Sequence, residues 1–534
     1  MCNFTSQQTM KEEENESGAP WILDDDASRM SNSGPIGQLA AYSGIQEPAL
    51  RLLLSILAGY PLARIYVKFL RGSPEPIKHL FCACTGFFLY AFNFGFNAFH
   101  TLIAVWITYL LARLMHTSRY FVVVNFAFHM GYLLTGYFFT ATDDYDINWT
   151  TPHCIAVMRL IGFGFDISDG RAPREQLSKD QMETALQEIP SILELTGFTY
   201  FPASFLVGPQ FPYRRYKDFI LGSFDKGKSN IEVGLKRGAL GILYLAIRHY
   251  GSSLIPDDYF FSDHFKALGF STKLFMIGIW AKISLYKYIS CWLLAEGALT
   301  CFGLSYIGVD QNGNEDWSGC TSVKLRTFET ASKMNHYVQS FNVNTNNWLA
   351  RYVYKRLKFL GNRTISYGAA LLFLAIWHGF HTGYYVCFFL EYLVITFEKQ
   401  FEDVFEDLRT TYKIFDSAPA HALYAVGRRI YTHVCMGFCL IPFVYLCYSK
   451  WIMLFSIFNY YGFIFLGGWF VFHFIYKTPR KSGQPENLIS ISLFLLIYLE
   501  IYLKKNYRKY IIENKKVYKT SISRSSPYIE LFEK

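Results

Sequence analysis

The sequence predicts an all-α protein, a polytopic transmembrane helical bundle of about eleven spans. Three observations carry that prediction. Of 534 residues, 51% are hydrophobic and 19% aromatic, while only 17% are charged, a balance unlike that of a soluble enzyme. Apolar runs long enough to cross the hydrocarbon of a bilayer follow one another along most of the chain. Backbone groups in lipid must also satisfy one another within the segment, which makes such runs helices.

The ends differ from the middle. Residues 1–45 are acidic, with Ser, Gly and Pro clusters and no periodicity, and read as a disordered N-terminal segment. The first 30 residues hold seven acids against Lys11 and Arg29. No secretory signal is visible there, so the first span is expected to act as the targeting signal. The body, residues 46–503, is expected to form one membrane domain. The tail, 504–534, is basic; from 503 onward there are nine bases against three acids. A basic tail after a final apolar run predicts a cytosolic C-terminus. It suits anionic lipid and gives no ground for a nucleic-acid partner.

Spans are expected near 48–67, 78–96, 98–115, 119–140 and 153–168. A short run at 190–208 is either a crossing or a re-entrant segment. Further runs cover 238–255, 268–308 (long enough for two), 364–397, 430–475 (two) and 487–503. No internal repeat is visible, which weighs against inverted-repeat transporters. The cysteines scatter through the spans without the ligand spacing of a zinc site, and they read as packing residues. Glu296 lies inside an apolar run, either paired in the bundle or lining a cavity.

Three polar insertions interrupt the pattern. In 169–190, Ser178-Lys179-Asp180-Gln181 has the form of a capping box that starts a short helix. Residues 209–237 are basic and therefore expected on the cytosolic side. Residues 309–363 contain Asn342-Val343-Asn344-Thr345-Asn346-Asn347-Trp348, then a helix-like run from Leu349 to Leu360. Arg351, Lys355 and Lys358 share one face of that run, beside a stripe of Trp348, Tyr352 and Phe359. Such a segment is expected to lie in the membrane interface, apolar side toward lipid.

His378 is the residue that turns a generic membrane protein into a candidate enzyme. It sits among Leu374-Ala375-Ile376-Trp377 and Gly379-Phe380, where an ionisable group is costly and needs a reason. Imidazole is also the side chain best suited to take a proton near neutral pH. His381 is three residues on, but no carboxylate or cysteine joins the two at ligand spacing, so no metal site is expected.

Trp377-His378-Gly379, continued by Phe380-His381-Thr382-Gly383-Tyr384, resembles the W-H-G-x-x-x-G-Y signature of the membrane-bound O-acyltransferases. Ser340-Phe341-Asn342 through Trp348 resembles the asparagine motif of that family, as do the flanks Arg351-Tyr352 and Lys355 to Asn362. Asp146 to Cys154 and Gly197 to Phe211 also resemble family segments. In detail the chain looks most like the lysophosphatidylcholine acyltransferase branch, over about residues 50–475.

The resemblance implies a bundle around a buried catalytic chamber, resident in the endoplasmic reticulum. It implies acyl-CoA as co-substrate, arriving from the cytosol, with no tightly bound cofactor. The acceptor would be a lysophospholipid from the bilayer, lysophosphatidylcholine first, with lysophosphatidylethanolamine and lysophosphatidylserine as further substrates. Transfer from a thioester to an alcohol needs a base for the hydroxyl proton and a donor for the developing oxyanion. His378 is assigned the first role; Asn342, by resemblance the second family residue, would donate a hydrogen bond to the carbonyl oxygen or orient the imidazole or the acceptor hydroxyl. Asn344, Asn346 and Asn347 are the competing asparagines, any of which can merely cap a helix. Arg351, Lys355 and Arg356 are the candidates for the CoA phosphates, since fixed cations suit phosphate oxygens. The rival readings are the same chemistry on a sterol, diacylglycerol or secreted protein, and a non-catalytic multispan transporter or receptor.

Overall fold

A computed structural model describes residues 34–142, 146–227, 230–412 and 417–477. The acidic stretch before 34, the expected span 487–503 and the basic tail 504–534 lie outside the described residues. The chain is almost entirely helical; its strands, β1 (Gly308–Val309) and β2 (Glu315–Asp316), form one small antiparallel pair among the described residues.

The first helix, α1 (Pro35–Ser43), falls where the sequence reads as disordered; proline at its start and a left-handed Gly44 at its end delimit it. Helices α2 (Glu47–Ile65), α3 (Glu75–Phe94), α4 (Ala98–Met115) and α5 (Phe121–Thr140) follow as expected. Among the described residues, three stretches are long and apolar enough to cross a bilayer on their own: Glu47–Leu70, Glu75–Met115 and Phe121–Thr140.

Helix α6 (Thr150–Asp169) differs in kind, because 16 of its 20 residues are buried. The insertion after it folds as α7 (Lys179–Thr184), opened by the expected Ser178–Gln181 capping box. The 190–208 run is one short helix, α8 (Ile192–Thr199), followed by turns. The basic loop contributes α9 (Tyr213–Ile220), and α10 (Asn230–Leu254) then packs along α11 (Phe270–Phe302). The 268–308 run, long enough for two spans, is thus a single helix of 33 residues, about 50 Å at 1.5 Å per residue. No turn residue interrupts it until Gly303, which is left-handed.

The asparagine segment forms α12 (Val343–Leu349). The 364–397 run is not continuous: α13 (Arg363–His378) ends, three residues turn, and α14 (Thr382–Tyr412) begins. Helices α15 (Ala418–Tyr445), α16 (Tyr448–Ile457) and α17 (Tyr461–Lys477) complete the described chain, with α16 and α17 bent by 76°. The core around the break in the 364–397 run contains Ile155, Met158 and Ile161 from α6, Trp348, Leu349 and Tyr352, and Phe373, Leu374 and Trp377 from α13.

Candidate active site

His378 is the last residue of α13, so the histidine stands at a helix end rather than mid-helix. The helix stops because Gly379 adopts φ +124°, a conformation open to glycine and strained for other residues. The following helix then enters close to α15: a Cβ at Gly383 would lie 2.0 Å from the Pro442 carbonyl oxygen. Gly383 therefore serves close helix packing, whereas Gly379 makes a turn.

The imidazole of His378 is oriented by its own helix. Its Nδ1 is 2.7 Å from the Leu374 carbonyl oxygen. A carbonyl only accepts, so Nδ1 carries the hydrogen and Nε2 of the neutral ring keeps its lone pair. Nε2 has no hydrogen-bond partner among the described residues. Around the ring stand Trp377 at 4.7 Å, Tyr384 at 5.2 Å, Phe388 at 5.2 Å and Phe443 at 5.6 Å. Trp377 fixes the helix end, donating its indole N–H to Cys154 at 3.0 Å while its carbonyl accepts from the Tyr137 hydroxyl at 2.9 Å. His381 is held elsewhere, 2.7 Å from the Thr142 carbonyl. Among the described residues no group of three His, Cys, Asp or Glu is placed to hold a metal.

Three of the asparagines separate by what their side chains do. Asn344 donates to Cys320, Thr321 and the Ser322 hydroxyl, and Asn346 to Val338 and Phe341, so both hold loops. Asn342 sits at the N-cap of α12 with φ +49°, a left-handed geometry that asparagine tolerates better than most residues. Its side chain makes no hydrogen bond among the described residues. Phe341, just before it, meets Trp292 at 4.9 Å and Tyr288 at 6.4 Å. Tyr288 in turn reaches Phe443 at 6.2 Å, and Phe443 reaches His378. One aromatic wall therefore runs from Phe341, the residue before Asn342, to the imidazole.

Glu296, undecided from sequence, is paired. Its carboxylate takes Arg237 Nε at 2.6 Å and the backbone N–H groups of Ser322 and Val323. That is the loop to which Asn344 is tied, so a buried ion pair supports the asparagine segment.

The three basic candidates turn toward acids rather than outward. Arg351 lies 3.4 Å from Glu183, Lys355 pairs with Asp180, and Arg356 grips Asp169 with both guanidinium nitrogens at 2.7 and 2.5 Å. Trp348 and Tyr352, expected to face lipid, are buried instead against α6, donating to the Met158 carbonyl at 2.8 Å and to Asp166 at 2.9 Å. Only Phe359 of that stripe is exposed. The reason is tertiary: the acids lie some 170 residues earlier in the chain, where no local periodicity can register them. The backbone also departs from a plain α-helix, with a π turn over 350–354 and a 3₁₀ stretch over 355–360.

Beside Arg351 opens a cavity of about 370 Å³, lined among others by Arg159, Asp166, Arg214, Arg215 and Asn347. Arg159 is buried and fully hydrogen-bonded without a carboxylate: to Phe198 and Thr199 at 3.0 Å, Ser204 at 2.6 Å, Pro209 at 3.2 Å and Gln210 at 3.4 Å. Sequence reasoning passed over it, although an arginine inside an apolar run is itself a signal. Helix α6 links this cavity to the histidine. It receives Trp377 at Cys154, Trp348 at Met158 and Tyr352 at Asp166, and Cys154 to Asp166 spans about 18 Å of helix.

Long apolar helices with a buried imidazole at a helix break define a helical membrane protein with a candidate general base. The chain belongs to the membrane-bound O-acyltransferase family, whose model matches residues 134–447. It is 49% identical over 470 residues to lysophospholipid acyltransferase 5 of Drosophila melanogaster, covering 86% of this chain and 95% of that one. It is 38% identical over 454 residues to lysophospholipid acyltransferase 5 of Mus musculus and of Homo sapiens, covering 84% of this chain and 93% of each.

Proposed function

We propose that this protein is an acyl-CoA:lysophospholipid O-acyltransferase that re-acylates the sn-2 hydroxyl of lysophosphatidylcholine, and also of lysophosphatidylethanolamine and lysophosphatidylserine. The single observation that carries the mechanism is the free Nε2 of His378, set by the Nδ1–Leu374 bond. The relatives named as lysophospholipid acyltransferases, matched over nearly their full length, support the acceptor class.

In the reaction, Nε2 takes the acceptor hydroxyl proton as the oxygen attacks the thioester carbonyl carbon. The new C–O bond forms, the C–S bond breaks, and the proton returns to the departing thiolate as free CoA. The amide of Asn342 donates to the carbonyl oxygen as negative charge builds there. No acyl-enzyme is needed, because thiolate leaves readily.

The acyl-CoA phosphates are assigned to the cavity beside Arg351, from which the length of α6 leads to His378. Arg351 and Lys355 would exchange Glu183 and Asp180 for phosphate oxygens, while Arg356 stays on Asp169 and anchors the segment. The reading places about eleven spans around a shared chamber in the endoplasmic reticulum membrane, with the C-terminus in the cytosol. The test is acyl transfer from labelled acyl-CoA to a panel of lysolipids, using membranes carrying wild type, His378→Ala or Asn342→Ala. Transfer to lysophosphatidylcholine by wild type and its near-abolition in both variants is expected. Equal rates in all three would overturn the assignment.

A further inference from the structure

A cation without a counter-ion lies between α10 and α11. Arg248 stands four residues after Tyr244 and three before Gly251, spacings that put all three on one helix face. That face packs on α11: the rings of Tyr244 and Tyr286 meet edge to face at 4.9 Å, and a Cβ on Gly251 would lie 3.0 Å from Ile283. Arg248 is thus aimed at the stretch holding Lys287 and Tyr288, and its charge acts on the Tyr288 phenol. Its Nη1 is buried, and the side chain has no hydrogen bond or ion pair among the described residues. The carboxylate on that side, Glu329, is committed to Tyr244 at 2.9 Å, Lys282 at 3.0 Å and Tyr286 at 3.3 Å.

The contrast with Arg237 is direct, since that arginine, eleven residues earlier on the same helix, has Glu296. A guanidinium set between two packed helices, with a buried nitrogen and no counter-ion among the described residues, marks a place where an anion binds. Lys287 adds positive charge, its Nζ lying 4.8 Å from the Tyr288 ring centroid. The Tyr288 hydroxyl also has no hydrogen-bond partner among the described residues. Tyr288 belongs to the wall between His378 and Phe341, 6.2 Å from Phe443 and 6.4 Å from Phe341 itself.

We propose that Arg248, together with the Tyr288 hydroxyl, binds the phosphodiester anion of the acceptor lipid. This rests on the lysophospholipid reading and adds to it a site for the part that every such acceptor shares. Choline, ethanolamine and serine headgroups differ, but each hangs from the same phosphate, one carbon removed from the sn-2 hydroxyl. A phosphate on Arg248 therefore sets that hydroxyl near the wall on which His378 Nε2 opens. Guanidinium suits phosphate oxygens through paired, charge-assisted hydrogen bonds. A sterol or diacylglycerol would leave the charge unanswered.

The test uses the full-length protein in neutral-lipid nanodiscs. In a His378→Ala background, which holds ligands without turnover, thermal unfolding is followed with lysophosphatidylcholine, with CoA and with monoacylglycerol. Lysophosphatidylcholine and CoA are each expected to raise the midpoint. Adding Arg248→Gln should remove the response to lysophosphatidylcholine and keep the response to CoA. With His378 present, Arg248→Gln should raise the KM for lysophosphatidylcholine about tenfold or more, leave the KM for acyl-CoA unchanged, and be partly rescued by Arg248→Lys. An unaltered lysolipid response and KM overturns the proposal, as does loss of the CoA response instead. Should Arg248→Gln not fold, Tyr288→Phe decides: a raised lysolipid KM supports the site, an unchanged one sinks it. Failure of the underlying functional reading shows separately, as wild type transferring to no lysolipid at all.

Discussion

Trp377 of α13 hydrogen-bonds the carbonyl of Cys154 on α6 at 3.0 Å. Because His378 is the next residue, this one contact sets where the imidazole stands relative to the buried central helix. Helix α6 supplies a second indole acceptor at Met158, for Trp348 of α12. The two catalytic candidates, 36 residues apart in sequence, are therefore indexed to one rigid element, each through a neighbouring tryptophan. Preorganisation of this kind is what base and oxyanion-donor chemistry requires.

Replacing Trp377 by Phe keeps an aromatic ring but removes the bond to Cys154. The expected result is a lower kcat with little change in the KM of either substrate, since the imidazole loses its reference rather than the substrates their contacts. Steady-state kinetics with both substrates varied would show it. A wild-type kcat would mean that the helix end is positioned by other contacts.

His378→Ala and Asn342→Ala should lower turnover by about 10²–10⁴-fold and 10²–10³-fold respectively. Asn342→Gly, which adopts the left-handed backbone without strain, should leave thermal stability close to wild type, since the amide holds nothing in the fold. Asn344→Ala should behave in the opposite way. It strips three carbonyl and hydroxyl oxygens of their donor, at a cost of about 1–3 kcal/mol. Comparing unfolding midpoints and initial rates of the two variants separates a chemical asparagine from a structural one.

Glu296→Ala leaves Arg237 and two backbone N–H groups without their acceptor in the apolar interior. Breaking such a buried pair costs about 3–5 kcal/mol. Loss of folded protein is expected, measured as the fraction eluting monodisperse after solubilisation. The double replacement Arg237→Met/Glu296→Leu should recover much of it, because no uncompensated charge remains. Recovery no better than the single variant would mean that the loop N–H groups matter more than the charge.

Arg351→Gln and Arg356→Gln should part company. Arg356 is bidentate to the buried Asp169 and lies 4.8 Å over the Phe165 ring, so its loss should lower stability and affect both substrates alike. Arg351 has one long contact to an exposed Glu183, and surface pairs of that kind contribute little. Its replacement should raise the KM for acyl-CoA selectively at unchanged unfolding midpoint. Saturation curves for acyl-CoA on both variants decide the matter.

Gly383→Ala should be poorly tolerated, because the added methyl meets the backbone carbonyl of Pro442 rather than a movable side chain. Overpacking of this kind costs about 1–3 kcal/mol. Gly368→Ala in α13, where nothing lies within 4 Å, should be neutral by the same thermal-unfolding assay.

Composition and local pattern determined the class of this protein and its candidate base. Repeated apolar runs force helices in lipid whatever their neighbours are, so the α2–α5 boundaries fall close to those read from the chain. The Ser178 capping box is likewise a contact within four residues and was legible for that reason. His378 stood out because a charge-capable group in an apolar run is anomalous at any depth. What the tertiary structure decided was everything that depends on partners distant in the chain. The 364–397 run looked continuous, yet it breaks at Gly379, where α5, α6 and α15 hold the turn. Arg351, Lys355 and Arg356 looked like an outward basic face, but Glu183, Asp180 and Asp169 claim them. Trp348 and Tyr352 looked lipid-facing, but α6 offers a carbonyl and a carboxylate that lipid cannot. An apolar face says only that a residue leaves water; whether it meets lipid or protein is set by which helices close around it.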